Sequence, residues 1–446
     1  METDSFSKKS LITLFTEFLI FIFGLIILVI ITRVLGPEKK GIYSLILLVP
    51  ALIISFGSFG IGNANIYFVG SKKYKIQDIA SNSLLLAFIL GGSLIITFWI
   101  LVHFDFFRKF IHFNQLPSFY LWVVVASIPI FLLFGFFQNI ILGIGQIKNY
   151  NKVRILQNII WLIAIFLLLV IWKKGIFGAI FSYISSVLCV TIFTVFLVKK
   201  ITKFHFSLNK KLLKESFKYG GKVYLADTVS FLNYRLDMFL IAILLNPAIA
   251  VASVGIYSIS VAIAEKLFII PGAFSTVLFP TVSSIKSSEA NYLTSKLVRH
   301  TFFIMFIFSL LLFFLAKPLI AIVFGSAFSS AALPLMILLP GIVAFSIGGV
   351  IAADLSGRGK PQIAIYSSLA CLITNIILNI IFIPKWGISG AAFASAVSYW
   401  VDTIVVLVAF LKISRKPLAE VLLINKEDLR DYVKAINNFK SWIKNR

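Results

Sequence analysis

Eight charged residues lie inside long apolar runs of this 446-residue sequence: Glu17, Asp227, Arg235, Asp237, Glu265, Lys266, Asp354 and Asp402. A charge at membrane depth costs about 2.5–3.5 kcal/mol even on the lenient insertion scale, so each needs a partner or a task. Buried acids can exchange a proton or a sodium ion, and buried bases can hold an anion. Arg33, near the end of the first run, adds a base that can equally snorkel to the surface. Arg235 and Asp237 are two residues apart, about 200° around a helix, so a regular helix cannot turn both into one cavity. One of them is then expected to face a lumen and the other a neighbouring helix, with Glu265 and Lys266 as candidate partners. Glu17 has no basic partner nearby in the sequence. For every residue in this set, self-neutralising pairing between helices is the alternative to a transport role. Asn63 and Asn65, beside Gly60 and Gly62, either line a path for a polar, sugar-like solute or bond helices together.

Other chemistries lack their residues. No Gly-rich loop ends in Gly-Lys-Ser/Thr, and Gly220-Gly221-Lys222-Val223 fails at its last position, so ATP hydrolysis is not expected. His103, His112, His205 and His300 are scattered without an i,i+4 partner, which argues against a metal site. The longest outside connection, near Phe104 to Ser118, holds one carboxylate, Asp105. A glycosyltransferase or polymerase would concentrate acids or basic substrate-binding groups there, so the chain reads as a non-enzyme without a cofactor.

The elements that position these groups are membrane helices. Hydrophobic residues make up 60% of the chain and charged residues 13%, against roughly 45–50% and about 25% in soluble domains. Apolar stretches long enough to cross a ~30 Å hydrocarbon core fill most of the length. Their lack of alternation excludes a barrel and predicts an all-α integral membrane protein. Twelve spans are expected: 11–31, 42–69, 83–102, 119–142, 155–171 and 176–198, then 223–245, 251–282, 301–324, 333–355, 363–383 and 387–411. Pro50, Pro129, Pro271 and Pro340 are expected to interrupt four of them. The first run is too long for a signal peptide and is expected to remain as a helix.

The two halves repeat. Gly41-Ile42-Tyr43-Ser44 returns as Gly255-Ile256-Tyr257-Ser258, Gly143 and Gly145 as Gly357 and Gly359, and Gly175-Ile176-Phe177-Gly178-Ala179 as Gly387-Ile388-Ser389-Gly390-Ala391. Six spans per copy put both repeats the same way up, giving two pseudo-symmetric six-helix lobes. The expected division is a lobe over 1–198, a basic cytoplasmic linker over 199–222, a lobe over 223–411 and a basic tail over 412–446. With the N-terminus inside, 30 of the 41 basic residues fall in cytoplasmic segments and nine in outside connections. Both termini are therefore expected to be cytoplasmic. The formal charge of +24 is then explained by topology and anionic inner-leaflet lipids, with no nucleic acid. In the tail, Asn425 can cap an amphipathic helix carrying Leu429, Val433, Ile436 and Ile443. Cys189 and Cys371 lie in apolar runs, and no disulfide is expected.

Several motifs together resemble a known family. They are Thr32-Arg33-Val34-Leu35-Gly36-Pro37 with Gly41-Ile42-Tyr43-Ser44; Arg235-Leu236-Asp237 with Gly255-Ile256-Tyr257-Ser258; Leu278-Phe279-Pro280; and Gly357-Arg358-Gly359-Lys360 through Asn375 and Asn379 to Ile383-Pro384-Lys385-Trp386-Gly387. The chain is similar to bacterial polysaccharide flippases of the O-antigen translocase type, within the multidrug-and-toxin-extrusion-like (MATE/MOP) superfamily. That resemblance implies transfer of undecaprenyl-diphosphate-linked oligosaccharide from the cytoplasmic to the outer face of the inner membrane by alternating access. It implies a polysaccharide polymerase and a chain-length regulator as partners. Arg33, Arg235 and Lys266, with Asn63 and Asn65, then become the substrate-binding candidates. Glu17, Asp237 and Glu265 become candidates for coupling to H⁺ or Na⁺. Six intramembrane acids against two bases keep a rival reading open, a cation-exchanging drug or metabolite extruder of the same fold.

Overall fold

A computed structural model describes residues 2–104, 116–204, 208–425, 428 and 430, without the side chains of residues 2–12, 14, 222, 223, 226 and 227. Throughout the described residues the regular structure is helical, as expected where lipid cannot satisfy a free backbone donor or acceptor. Ten of these helices are long and apolar enough to cross a membrane, making this a multi-pass membrane protein. The first of the ten holds the first predicted span and much of the second. The seventh predicted span is not among them, since Asp227, Arg235 and Asp237 lower its apolar character. The amphipathic tail helix, the side chain of Asp227, and Asp105, His112 and His205 lie outside the described residues.

The chain forms two compact units, Met1–Ile256 with Val323–Ala327, and Tyr257–Ile322 with Phe328–Arg446. The first begins with α1 (Glu2–Gly57), broken internally at Gly36, whose φ of 70° is left-handed. It continues through α2 (Ile61–Gly70), α3 (Ile76–Val102), α4 (Ser118–Ala126) and α5 (Ile128–Gly143). Next come α6 (Ile147–Ile165), a π-helical turn (Phe166–Ile171), α7 (Gly175–Ile201) and α8 (Lys210–Leu244). The second predicted span is divided at Ser58–Gly60, where Phe59 and Gly60 both have positive φ, and not at Pro50, which sits inside α1. Pro129 does follow a break, at Ser127.

Two thirds of the expected basic linker is helix. Asn209 caps α8 by accepting a hydrogen bond from the Leu212 N–H (3.0 Å), so the helix starts thirteen residues before the predicted Val223. Packing explains the extension. Tyr219 stacks on Tyr67 (4.3 Å between centroids), the Tyr224 hydroxyl donates to the Phe56 carbonyl (2.7 Å), and Gly220 lies flat on Gly60. Beside this contact Lys73 donates to Glu215 (2.6 Å). That hydrogen bond raises Lys73 above the ordinary lysine range and lowers Glu215 below the ordinary carboxylate range.

The latch has a defined pH window. Glu215's contribution is complete above the unfolded carboxylate pKa of about 4.3 and is lost as pH falls through the lower folded value. Lys73's contribution is complete below about 10.4 and is lost as pH rises through its raised value. Glu215→Gln is therefore expected to lower the melting temperature slightly at neutral pH, the pair being exposed and screened. At a pH low enough to protonate Glu215 in the folded protein the two proteins should melt together; an equal gap there and at neutral pH would contradict the latch.

The repeated glycines meet within the first unit. A Cβ on Gly41 would lie 1.8 Å from the Val251 carbonyl oxygen, and one on Gly255 would lie 2.0 Å from the Pro37 oxygen. The two copies of Gly-Ile-Tyr-Ser thus bring α1 and α9 (Pro247–Lys266) into backbone contact, a spacing that only glycine permits.

The second unit holds the end of α9, then α10 (Ile269–Val282), α11 (Ser287–Phe324), a 3₁₀ turn (Ser326–Ala331), α12 (Ala332–Gly357), α13 (Pro361–Trp386), α14 (Ile388–Ser414) and α15 (Leu418–Leu422). The eighth predicted span breaks before Pro271, whereas Pro340 lies within an unbroken α12. Small residues on α14, among them Gly390, Ala391, Ala394 and Ser398, are buried, as close helix packing requires. Asn425 and Asp428 exchange backbone-to-side-chain hydrogen bonds (3.1 and 2.9 Å), a reciprocal cap. Arg299 clamps Asp428 from α11 (2.6 Å).

Candidate functional site

Two bases gather in the first unit. Lys40 follows the bend at Gly36 and is only 5% exposed. Its Nζ donates to Ser44 Oγ (2.8 Å) and lies 5.4 Å from the Tyr43 ring centroid. The second base, Arg235, is carried by α8 in the same unit. Arg235 is half-buried, while Asp237 is 4% exposed and accepts the Met238 N–H (2.8 Å). This difference agrees with the two side chains leaving the helix on different sides. The expected spans leave Lys40 in the connection over 32–41; in the structure the helix resumes at Pro37 and Lys40 is buried. The first unit therefore holds a buried base besides Arg235.

A cavity of about 310 Å³ lies in the same unit, lined by Pro50, Ile54, Phe131, Phe134, Gln157 and Tyr183 among others. Tyr183 packs on Trp161 (5.0 Å between centroids), and its hydroxyl and the Gln157 amide are polar groups in an otherwise apolar wall.

The remaining predicted residues fare differently. Asn65 is buried and donates to Ser83 Oγ (2.8 Å) and the Phe136 carbonyl (3.4 Å), so it binds α2 to α3 and α5. Asn63 is half-buried. Arg33 is anchored through Nε to the Val323 carbonyl (2.8 Å). Glu17, with no basic residue nearby in the sequence, takes a distant partner: Nη1 and Nη2 of Arg154 both donate to its carboxylate. Arg154 lies on α6, 137 residues away. Glu265 is half-buried and Lys266 exposed at the end of α9, in the second unit.

The second unit has polar groups of its own. Asp354 is fully buried, and both its oxygens accept from Arg358 (2.7 and 3.0 Å) while Thr294 donates to one of them (2.6 Å). Asn375, Asn379 and Ser395 form a buried chain, with Asn379 Nδ2 donating to Asn375 Oδ1 (2.8 Å) and Asn375 Nδ2 to Ser395 Oγ (3.2 Å). Asp402 is 5% exposed. Among the described residues no group of three His, Cys, Asp or Glu could hold a metal ion, and both cysteines are free.

A family model described as "Polysaccharide biosynthesis protein" matches residues 6–286. The Haloferax volcanii "Probable low-salt glycan biosynthesis flippase" is 26% identical over 60% of this chain and 56% of its own length. Among solved structures, "Lipid II flippase MurJ, inward closed conformation" superposes with a TM-score of 0.74 at 18% identity, covering 91% of this chain and 90% of the other. An inward-facing multidrug resistance MATE family transporter of the MOP superfamily does so with a TM-score of 0.72 at 17% identity, covering 88% and 95%. The fold is thus MATE-like.

Proposed function

Because this chain belongs to the polysaccharide biosynthesis protein family, we propose that it is a flippase that carries a lipid-linked oligosaccharide across the membrane. The observation that supports the reading is a buried base, Lys40, 5% exposed in a unit of apolar helices that also carries Arg235 on α8. A base buried at low dielectric loses hydration, and an anion brought to it offsets part of that cost. A polyprenyl diphosphate supplies such an anion, with its sugars in the polar path and its tail left in lipid. The fold it shares with a lipid II flippase and a multidrug transporter supports alternating access as the means of transfer.

In this reading the membrane is the bacterial inner membrane and both termini are cytoplasmic, in line with the excess of basic residues in the segments assigned to that side. The cargo is an undecaprenyl-diphosphate-linked repeat unit, delivered outward to a polymerase and a chain-length regulator. The chain moves the lipid without making or breaking a covalent bond. Arg33 and Lys266 are secondary anion contacts, and Asn63 a sugar contact. Asp237 and Glu265 are the groups for coupling to H⁺ or Na⁺. Glu17 keeps a coupling role only if Arg154 releases it during transport.

Arg235→Ala is expected to abolish export of surface glycan in cells while membrane insertion and abundance stay at the wild-type level. Arg235→Lys, which keeps the charge, should retain part of it. Normal export by Arg235→Ala would remove this residue from the site.

A further inference from the structure

A second cavity, an open groove of about 460 Å³ between α1 and α6, plays no part in the mechanism above. One stripe of α6 lines it: Lys148, Asn151, Lys152, Ile155, Leu156 and Ile159. Residues spaced by three and four share one helix face, so polarity changes along this groove. Its first turn and a half is cationic, and the following turns are aliphatic. That order matches an amphiphile lying along the helix, with its anionic head at the lysines and its chain on the isoleucines.

Four observations make the polar end a receptor for a headgroup. Lys148 and Lys152 are both exposed, and neither joins an ion pair within the described residues; Lys152 only rests 5.5 Å from the Phe193 ring. Glu17, an acid on the facing helix, is already held by Arg154. Gln146, the residue before α6, gives no side-chain cap, so the positive end of the helix dipole adds to the lysine charges. Between the lysines Asn151 is 2% exposed. Its Nδ2 donates to Thr13 Oγ1 (3.1 Å), while its Oδ1 has no partner. A buried amide oxygen left unpaired costs about 1–3 kcal/mol, and a ligand hydroxyl would satisfy it.

We propose that this groove is a binding site for an anionic phospholipid of the surrounding bilayer with a hydroxylated headgroup, of the phosphatidylglycerol type. Lys148 and Lys152 hold the phosphate, Asn151 accepts from a glycerol hydroxyl, and Ile155, Leu156 and Ile159 carry one acyl chain. The groove shares no lining residue with the cavity of about 310 Å³, and the proposal does not depend on which solute is carried.

The test is a native mass spectrometry titration of the full chain, purified in detergent, with phosphatidylglycerol and with phosphatidylethanolamine. One tight phosphatidylglycerol is expected, and Lys148→Gln/Lys152→Gln should weaken it about tenfold or more through loss of two charge-assisted contacts. Asn151→Leu should reduce the preference over phosphatidylethanolamine, and Ile155→Trp should exclude both lipids from the site. The double variant Lys199→Gln/Lys200→Gln, which removes the same charge elsewhere, should bind as the wild type does. Equal loss in that control, or no loss in Lys148→Gln/Lys152→Gln, would overturn the proposal. So would displacement of the bound lipid by undecaprenyl phosphate at equal concentration, which would assign the groove to cargo. Displacement by millimolar inorganic phosphate would overturn it too, by reducing the site to a simple anion contact.

Discussion

Gly41→Ala is expected to block glycan export and to destabilise the protein by more than the roughly 1–3 kcal/mol of an ordinary overpacked core. The new methyl would sit 1.8 Å from the Val251 carbonyl oxygen. A backbone atom cannot rotate away, so α1 and α9 must separate along their crossing. Gly255→Ala should do the same from the other side, since its Cβ would meet the Pro37 oxygen at 2.0 Å. Once either methyl has forced the helices apart, the second adds little. The double variant should therefore be far less impaired than the two single effects combined. Gly24→Ala, where nothing lies within 4 Å, is the matched control and should melt and transport as the wild type does. The measurements are the melting temperature in detergent and complementation of glycan export. A Gly41→Ala protein with normal values for both would show that the close approach of the repeated motif is dispensable.

Asp354→Ala is expected to cost about 3–5 kcal/mol, the penalty for stranding one member of a buried ion pair. Arg358 would lose both carboxylate oxygens, and the Thr294 hydroxyl its acceptor. Removing both charges with apolar residues of similar size, as in Asp354→Leu/Arg358→Met, should recover much of that loss. Thermal unfolding of the two variants separates the possibilities. If Asp354 instead serves transport directly, the double variant will be stable and inactive; if it only holds α11 to α12, the double variant will be both stable and active. Fully wild-type stability of Asp354→Ala would contradict the pairing.

The membrane class, the helices and the repeat were legible because each is written locally, in runs of apolar residues and in recurring words. Even the place where the repeats meet was marked, by Gly41 and Gly255, although sequence alone did not say that they face each other. What could not be read depends on partners far along the chain. Glu17 looked unpaired because Arg154 is 137 residues away, and Asn65 showed its helix-joining role only through Ser83 and Phe136. Lys40 fell between the expected spans over 11–31 and 42–69, whereas the chain bends at Gly36 and resumes as helix at Pro37. The start of α8 was hidden by its lysines, since charge density marks a linker until aromatic packing through Tyr219 and Tyr224 holds it as helix. Prolines marked two of four interruptions. The break at Ser58–Gly60 instead depends on the left-handed backbone of Phe59 and Gly60 and their close approach to α8.

The most direct test of the central claim is the sidedness of the lipid-linked oligosaccharide pool in cells that lack this chain. A flippase predicts that surface glycan disappears while complete repeat units accumulate on the cytoplasmic leaflet, and that restoring the wild-type chain, but not Arg235→Ala, returns them to the outer leaflet. Complete units found on the outer leaflet but left unpolymerised would contradict the account, as would intact surface glycan accompanied by new sensitivity to cationic compounds.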